Sequence, residues 1–331
     1  MDGLPEQHAS GHEDGRHGTD FRDILAGLSA SPKTLPARLF YDEPGCALFG
    51  EITGLPEYYV TRAEMALLAA HAGEIVAGTG PAAMLVEYGA SDETKAVMLL
   101  QAANGRLSAY VPIDIAGPGL AALQARMRVS HPGLDVQPVQ GDFTAPLTLP
   151  PVATGQGRLG FFPGSTIGNF EPGMVIRFLR QARVDLSRGT DDVRFVIGTD
   201  LRKDPSLLIP AYDDASGVTA AFNRNILRHV NAITGADFDP ARFAHRAVWN
   251  DAESRIEMHL VSDGAQRVQV ADRPIVFAAG ETIHTESSYK HTREGFIALA
   301  HEAGWEADGF WMDPDGRFGM HRLVILSLIH I

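Results

Sequence analysis

The sequence has little of three features that define broad protein classes: cysteine, clustered basic residues and long apolar runs. Its single cysteine, Cys46, excludes an internal disulfide and a thiolate metal cage, as expected for a protein of a reducing compartment. The formal charge is -13, and clustered Lys and Arg dominate nucleic-acid binding, so we expect no nucleic-acid partner. No run reaches the roughly 18 apolar residues of a membrane span. We therefore expect a cytoplasmic protein without a membrane partner.

The two ends of the chain differ in composition from the rest. Residues 1–20 are rich in Gly, His, Asp and Glu with almost nothing to bury, which predicts a disordered leader without a signal-peptide core. Because His8, His12 and His17 are irregularly spaced there, we do not expect them to bind a metal ion. Residues 326–331 resemble the translation of a transposon-end sequencing adapter. We interpret them as an assembly artefact, with a natural apolar tail as the alternative.

Between residues 84 and 198 the sequence alternates between strand and helix patterns. Short apolar runs end at Gly or Asp, and the segments between them carry apolar residues at helical spacing. Strands joined by helices imply a parallel, doubly wound sheet whose ligands bind beyond the carboxyl ends of the strands. The predicted strands are 84–88, 109–113, 135–139, 159–162 and 193–198; the predicted helices are 94–103, one through Leu120, Leu123 and Met127, and one from Pro172 with a stripe at Val175, Phe178, Leu179, Ala182 and Leu186.

The remainder of the chain has a different pattern. A long helix at 217–233 is followed by strand-like stretches at 244–249, 255–261 and 274–286, which suit an α+β substrate-binding domain. A helix at 292–303 and a strand at 318–325 return to the α/β pattern, so the α+β domain is predicted to be inserted into the nucleotide-binding core. The predicted boundaries are 64–199 and 290–325 for the core, and 21–63 and 200–289 for the substrate-binding domain.

The predicted strands 84–88 and 109–113 are followed by residues that can bind a cofactor. Gly89 lies where a glycine lets the backbone approach a ligand before the next helix, although an ordinary tight turn explains it equally well. Asp114 follows 25 residues later, where an acid can accept hydrogen bonds from ribose hydroxyls. Neither a G-x-G-x-x-G run nor a Walker lysine loop is present, which disfavours dinucleotides and nucleoside triphosphates. The pattern therefore predicts a compact adenosyl ligand.

Several stretches together resemble one family, that of the L-histidine Nα-methyltransferases, which make hercynine on the route to ergothioneine. The resemblance covers roughly residues 20–323. It implies a Rossmann-like, doubly wound methyltransferase core, S-adenosylmethionine as the donor, and successive transfer of three methyl groups to the α-nitrogen of histidine. The stretches that carry it are Leu39–Asp42, Leu55–Arg62, Gly164–Phe170, Tyr212–Asp214, Thr219–Asn225 and Glu257–Leu260.

The same resemblance assigns two sets of site residues. One departure from the family pattern is Ser91, which stands where a second loop glycine is common. The donor would be lined by Tyr41, Gly89, Lys95, Asp114, Asp142 and Phe143. The amino acid would be bound by Tyr58, Asn169, Tyr212, Met258, Glu286 and Ser288.

The chemistry of the second set suits a histidine substrate. Asn169 and Tyr212 form a neutral donor pair that can hold a carboxylate without adding positive charge near the sulfonium. Glu286 and Ser288 are two residues apart on an extended segment, so both point to one face and can grip the two imidazole nitrogens. Met258 shares a strand face with Ile256 and Leu260, and is either an apolar wall for the ring or simply part of the core.

Methyl transfer needs a neutral amine aligned with the sulfonium methyl, so catalysis should come chiefly from positioning. Tyr58, with water, is the candidate for orienting the amine and helping it lose its proton, and a purely structural tyrosine is the alternative. The sequence does not identify a true general base. We expect a monomer, with histidine as a small-molecule substrate and no metal.

Four other interpretations of the function fit the sequence less well. Ser165 lacks the G-x-S-x-G spacing of a hydrolase nucleophile, and His259 and His284 lack a helical H-E-x-x-H metal motif. A family relative acting on another amino acid, such as a tryptophan derivative, should differ at Glu286 or Met258. A non-catalytic module that senses the cofactor or the amino acid should lack Asp114 or Tyr58, and all four of these residues are present.

Overall fold

The computed structural model describes residues 10–326, with side chains from residue 18 onward. The chain folds into two compact units: the first contains residues up to Tyr59 and Asp204–Ser288, and the second Val60–Lys203 and residues from Tyr289 onward. Within the described residues, no helix combines the length and the apolar character needed to cross a membrane.

The helices and strands are numbered in chain order. The helices are α1 Ser10–Ser29, α2 Glu43–Thr53, α3 Val60–Ile75, α4 Thr94–Ala102, α5 Gly117–Ser130, α6 Pro172–Leu186, α7 Pro205–Tyr212, α8 Val218–Thr234 and α9 Arg293–Glu302. The strands are β1 Lys33–Thr34, β2 Ala83–Tyr88, β3 Leu107–Asp114, β4 Asp135–Val136, β5 Val139–Gln140, β6 Arg158–Phe162, β7 Val193–Asp200, β8 Phe243–Asn250, β9 Arg255–Ser262, β10 Gln266–Val270, β11 Arg273–Phe277, β12 Thr282–Tyr289, β13 Trp305–Met312 and β14 Phe318–Ile325.

The second unit is built on an eight-stranded sheet in the order β13, β14, β7, β6, β2, β3, β4, with β5 also pairing with β3. The strands β7, β6, β2 and β3 run parallel, and β14 lies antiparallel between β7 and β13. From β2 the sheet grows through β3 to β4, and the chain then returns to the other side of β2 at β6. Doubly wound sheets bind ligands in the crevice that such a reversal opens at the carboxyl ends. The predicted α/β class is confirmed.

Aromatic side chains fill the core beside β2 and β6. Tyr88, Phe162 and Phe195 are at most 1% exposed, and Phe178 of α6 packs its ring among theirs. The predicted apolar stripe of α6 is confirmed, since each of its five residues is buried. Burial of such large side chains, at roughly 25 cal/mol per Å² of apolar surface, fixes the strands whose ends carry the site.

One predicted strand of this sheet is interrupted. The segment 135–139 forms two short strands, β4 and β5, which pair with different parts of β3. Pro138 stands between them, and because proline has no N–H to donate to a ladder, the pairing cannot run through it. The apolar pattern was correct, but its continuity was not.

The first unit contains a four-stranded sheet in the order β1, β12, β9, β8 and a separate hairpin of β10 and β11. Helix α8 buries Phe222, Ile226 and Val230, and β9 alternates buried with half-buried residues along its length. The predicted strand 274–286 is wrong: β11 and β12 belong to different sheets. The turn between them includes Gly280 at φ +77°, a backbone conformation that ends a strand.

The predicted disorder of residues 1–20 is wrong for residues 10–20, which belong to α1. The later half of α1 buries Ile24 and Leu28, and Asp20 and Asp23 both pair with Arg38, so tertiary contacts support a helix that composition alone disfavours. Residues 1–9 and 327–331 lie outside the described residues, as do the side chains of His12 and His17, so the interpretations of His8 and of the tail stay predictions.

Glu87 of β2 generates the first prediction. Its carboxyl group is 2% exposed and accepts a hydrogen bond from the Tyr110 hydroxyl, and burial raises its pKa to about 8 from an ordinary 4.5. Because the folded pKa lies above the unfolded one, the stability that Glu87 contributes is present below about pH 4.5 and is lost as the pH rises towards about 8. Glu87→Gln should remove this loss.

The measurement is urea unfolding of both proteins between pH 5 and pH 8.5. The difference between their unfolding free energies isolates Glu87, since the buried histidines, His291 and His321, titrate in both proteins. Equal pH slopes for the wild type and the variant would show that Glu87 is not protonated in the folded protein.

Candidate active site

The carboxyl end of β2 leads into a tight turn at Gly89. Its φ is +75°, and the N–H groups of Gly89 and Ala90 both donate to the Ile113 carbonyl at 2.9 Å. A Cβ added at Gly89 would stand 3.5 Å from Cε1 of Phe143, so the open side of the turn faces that ring. The glycine is required here by backbone conformation, since a side chain at this φ is strained.

Two aspartates lie at the neighbouring strand ends. The Asp114 carboxylate accepts from the Ala116 N–H at 2.8 Å, and the Asp114 carbonyl accepts from the Gly141 N–H at 3.0 Å. The second of these bonds brings Asp142 to the same edge, where its carboxylate accepts from the Thr144 N–H at 2.8 Å and from the Thr144 hydroxyl at 2.6 Å. Both acids are therefore held in fixed orientations.

The structure thus brings four of the predicted donor residues together in the second unit: Gly89, Asp114, Asp142 and Phe143. The Phe143 ring packs against Phe162, Phe170 and Phe178 and forms an apolar wall. Carboxylates that accept hydrogen bonds, an apolar ring and a glycine turn fit an adenosine moiety, which presents hydroxyl groups and a flat base. These residues fit the predicted donor.

Lys95, the fifth donor residue, forms an ion pair that sequence reasoning missed. Its Nζ lies 2.6 Å from Oε2 of Glu64, a fully buried residue of α3, and the Gly164 N–H also donates to that carboxylate, at 2.9 and 3.0 Å to its two oxygens. An acid among Ala63, Leu67 and Leu68 on the buried face of a helix was the available signal.

The loop after β6 contains Asn169, one of the predicted substrate residues, at the end of the short 3-10 turn Thr166–Asn169. Gly164 and Ser165 both have positive φ, and the Ser165 hydroxyl accepts from the Asp200 N–H at 2.8 Å. Asp200 in turn pairs with Lys290 at 2.9 Å and with Lys203 at 2.5 Å. Ser165 therefore fixes the loop, which agrees with rejecting it as a hydrolase nucleophile.

Five of the six predicted substrate residues and Tyr41 belong to the first unit. The Tyr212 hydroxyl is 2.8 Å from Oγ of Ser288, and the Tyr58 ring stands edge-on to that of Tyr212 at 6.3 Å. Tyr41 is 46% exposed, yet desolvation around its hydroxyl, followed by the charge of Glu286 and the neighbouring Tyr58, raises its pKa well above the ordinary value. The cluster therefore presents neutral phenols beside a carboxylate.

The division between the units differs from the division of predicted roles. Tyr41, assigned to the donor, belongs to the first unit, and Asn169, assigned to the amino acid, belongs to the second. Met258 of β9 is 2% exposed and alternates with Ile256 and Leu260 as the strand pattern predicts. Its burial is compatible with both the wall and the core interpretations.

A polar network behind Tyr212 was also missed. Asn223 of α8 accepts from the Thr285 hydroxyl at 2.7 Å and donates to Nδ1 of His245 at 2.8 Å. Nε2 of His245 then donates to the Tyr212 carbonyl at 2.8 Å. Because burial lowers the pKa of His245, the ring is neutral and this tautomer fits both bonds. Asn223 lies in a stretch that carries the family resemblance, but no role was predicted for it.

Two histidines weighed as metal ligands have other contacts. Nε2 of His259 is 3.1 Å from Glu257, and Nε2 of His284 is 2.9 Å from the Glu286 carbonyl. Among the described residues, no group of three or more His, Cys, Asp and Glu is arranged to hold a metal ion.

The model of the family described as histidine-specific, SAM-dependent methyltransferases matches residues 21–325. The chain belongs to this family. It is 44% identical to the histidine N-alpha-methyltransferase of Mycolicibacterium smegmatis over 92% of this chain and 94% of the relative, and 43% identical to that of Mycobacterium tuberculosis over 93% and 95%. It is also 28% identical to ergothioneine biosynthesis protein 1 of Neurospora crassa, over 88% of this chain and 33% of that protein. The predicted family, enzyme class and S-adenosylmethionine donor are confirmed.

Gly89 generates the second prediction. Gly89→Ala places a side chain at φ +75°, which costs about 1–2 kcal/mol and should displace the turn from the donor. The dissociation constant of S-adenosylmethionine, measured by calorimetry, should rise about tenfold. Gly105→Ala is the matched control, since Gly105 has φ +81° and open space around it but precedes β3 at the opposite edge of the sheet. Equal donor affinities in the two variants would show that Gly89 serves the turn alone.

Proposed function

We propose that this enzyme transfers three methyl groups in succession from S-adenosylmethionine to the α-nitrogen of L-histidine, forming hercynine, the first step of ergothioneine biosynthesis. The observation that carries the proposal is the 43–44% identity to histidine N-alpha-methyltransferases over more than nine-tenths of the chain. The small-molecule substrate follows from the family.

The donor residues would be those at the carboxyl ends of the parallel strands in the second unit, together with Tyr41. Bound there, S-adenosylmethionine supplies an electrophilic methyl group on a sulfonium. Asp114 would accept hydrogen bonds from the ribose hydroxyls, the Phe143 ring would pack on the base, and the Gly89 turn would admit the ligand close to the backbone. Asp142 would act as a further acceptor, and Lys95 would line the site while paired with Glu64.

The amino acid would be held by neutral donors at its carboxylate and by an acid and a hydroxyl at its ring. Asn169 and Tyr212 would bind the carboxylate, and Glu286 would accept an imidazole N–H. The Tyr212 hydroxyl is also hydrogen-bonded to Ser288. Because a phenol has a single proton, Tyr212 can donate it either to the substrate carboxylate or to Ser288, so carboxylate binding and ring recognition are linked. Ser288 would complete the recognition of the second ring nitrogen, and Met258 would border the ring.

Catalysis would rest on alignment of the amine with the methyl group, since well-held reactants gain about 7–11 kcal/mol from positioning. Tyr58 is suited to orienting the amine because its ring is fixed between Phe49 and Tyr212 and is 8% exposed. Each methyl transfer needs the lone pair, so the amine must lose a proton beforehand. We assign Tyr58 to assisting that step: its hydroxyl oxygen can accept a hydrogen bond from the amine and orient it while the proton passes to water.

A competition assay tests the function. The purified protein is incubated with S-adenosylmethionine and a panel of free amino acids that includes tryptophan, and the products are identified by mass spectrometry. We expect histidine alone to react, giving a product heavier by three methylene units. Turnover of another amine with histidine unchanged would refute the substrate while leaving the methyltransferase assignment intact.

Glu286→Gln tests the recognition of the ring. Loss of the anionic acceptor should raise the KM for histidine by about 10- to 100-fold, because hydrogen bonds to charged groups contribute about 1.5–3 kcal/mol. The dissociation constant of S-adenosylmethionine should stay unchanged. Glu281→Gln is the matched control, since Glu281 belongs to the same unit and undergoes the same change of charge but pairs with Lys33. Lost donor binding in Glu286→Gln would contradict the division of roles.

A further inference from the structure

Glu64 is a buried carboxylate that none of the predicted roles includes. It lies on the apolar face of α3 with no exposed surface, where an unpaired charge would be costly. Its two oxygens are satisfied by the Lys95 ammonium at 2.6 Å and by the Gly164 N–H at 2.9 and 3.0 Å. The carboxylate is thus bound by groups of two different segments, the start of α4 and the loop after β6.

The surrounding chain is shaped to admit this carboxylate. A Cβ at Gly198 of β7 would lie 2.8 Å from both Oε1 of Glu64 and Cζ of Phe318, so glycine leaves room there for the acid and for the aromatic ring. Burial by itself lowers the pKa of Lys95, but Glu64, with smaller effects of Glu87 and Asp92, outweighs it and the net shift is upward. Lys95 is therefore a charged ammonium, neutralised mainly by Glu64.

The two segments joined by Glu64 lie on either side of the point where the strand order reverses. Lys95 is the second residue of α4, which follows the Gly89 turn at the end of β2, and Gly164 follows the end of β6. Strands β2 and β6 are neighbours in the sheet, so both segments border the crevice in which such sheets bind their ligands. Glu64 holds the start of α4 by an ion pair and the loop after β6 by a backbone hydrogen bond.

We propose that Glu64 is a positioning residue for the donor: it fixes the Gly164–Asn169 loop to the start of α4 and cancels the charge of Lys95 beside a cationic ligand. The inference rests on the proposed function, in which Lys95 lines the donor site. S-adenosylmethionine carries a sulfonium charge that S-adenosylhomocysteine lacks. An unpaired ammonium nearby would therefore weaken the first ligand about tenfold more than the second.

The test is calorimetric titration of both ligands into four proteins: wild type, Glu64→Gln, Lys95→Met and the double variant. The readout is the dissociation constant of S-adenosylmethionine divided by that of S-adenosylhomocysteine. This ratio should rise about tenfold in Glu64→Gln, fall in Lys95→Met because the acid then stands alone, and return near the wild-type value in the double variant. A purely structural role would weaken both ligands equally and leave the ratio unmoved.

Asp185→Asn is the matched control. Asp185 is a buried carboxylate of the same unit that accepts a backbone N–H, that of Leu147 at 3.1 Å, and it should leave the ratio unchanged. An unmoved ratio in Glu64→Gln, or a ratio in Lys95→Met that does not fall, overturns the inference. Should Glu64→Gln fail to fold, the Lys95→Met result decides alone. Absence of donor binding or of histidine turnover in the wild type would instead refute the proposed function.

Discussion

The hydrogen bond and ion pair of Glu64 connect the start of α4 with the loop after β6, the two segments on which the methyltransferase core depends. The parallel sheet places β2 and β6 side by side at the reversal of strand order. A single buried carboxylate holds the Gly164 backbone and the Lys95 side chain together. The Gly89 turn, Asp114 and Asp142 are held by hydrogen bonds of their own. A predicted donor site that is ordered before its ligand binds lowers the entropic cost of binding.

The first unit orders its predicted binding residues with hydrogen bonds between neutral groups. The chain of hydrogen bonds from Thr285 through Asn223 and His245 ends on the Tyr212 carbonyl, while the Tyr212 hydroxyl meets Ser288. Neutral partners leave the Tyr212 cluster without added positive charge. Each unit therefore supports its predicted binding residues with a buried layer of polar contacts.

The elements that sequence could predict are those governed by local rules. Short apolar runs predicted β2 and β3, and apolar residues at helical spacing predicted α6. Gly89 and Asp114 were predicted at one edge because ligands bind beyond the carboxyl ends of parallel strands. The missed features depend on partners distant in the chain: Glu64 lies 100 residues before Gly164, and Asn223 lies 62 before Thr285. Pro138 and Gly280 interrupt the segments 135–139 and 274–286, which the apolar pattern predicted as continuous strands. The family resemblance named the binding residues but carried no information about what holds them.

The most direct measurement is a crystal structure of the protein with S-adenosylhomocysteine and L-histidine bound together. We predict the ribose at Asp114, the adenine beside Phe143, the imidazole nitrogens at Glu286 and Ser288, and the substrate carboxylate at Asn169 and Tyr212. An imidazole ring bound away from Glu286, or a ribose held by residues other than Asp114, would contradict the assignment of these two sites.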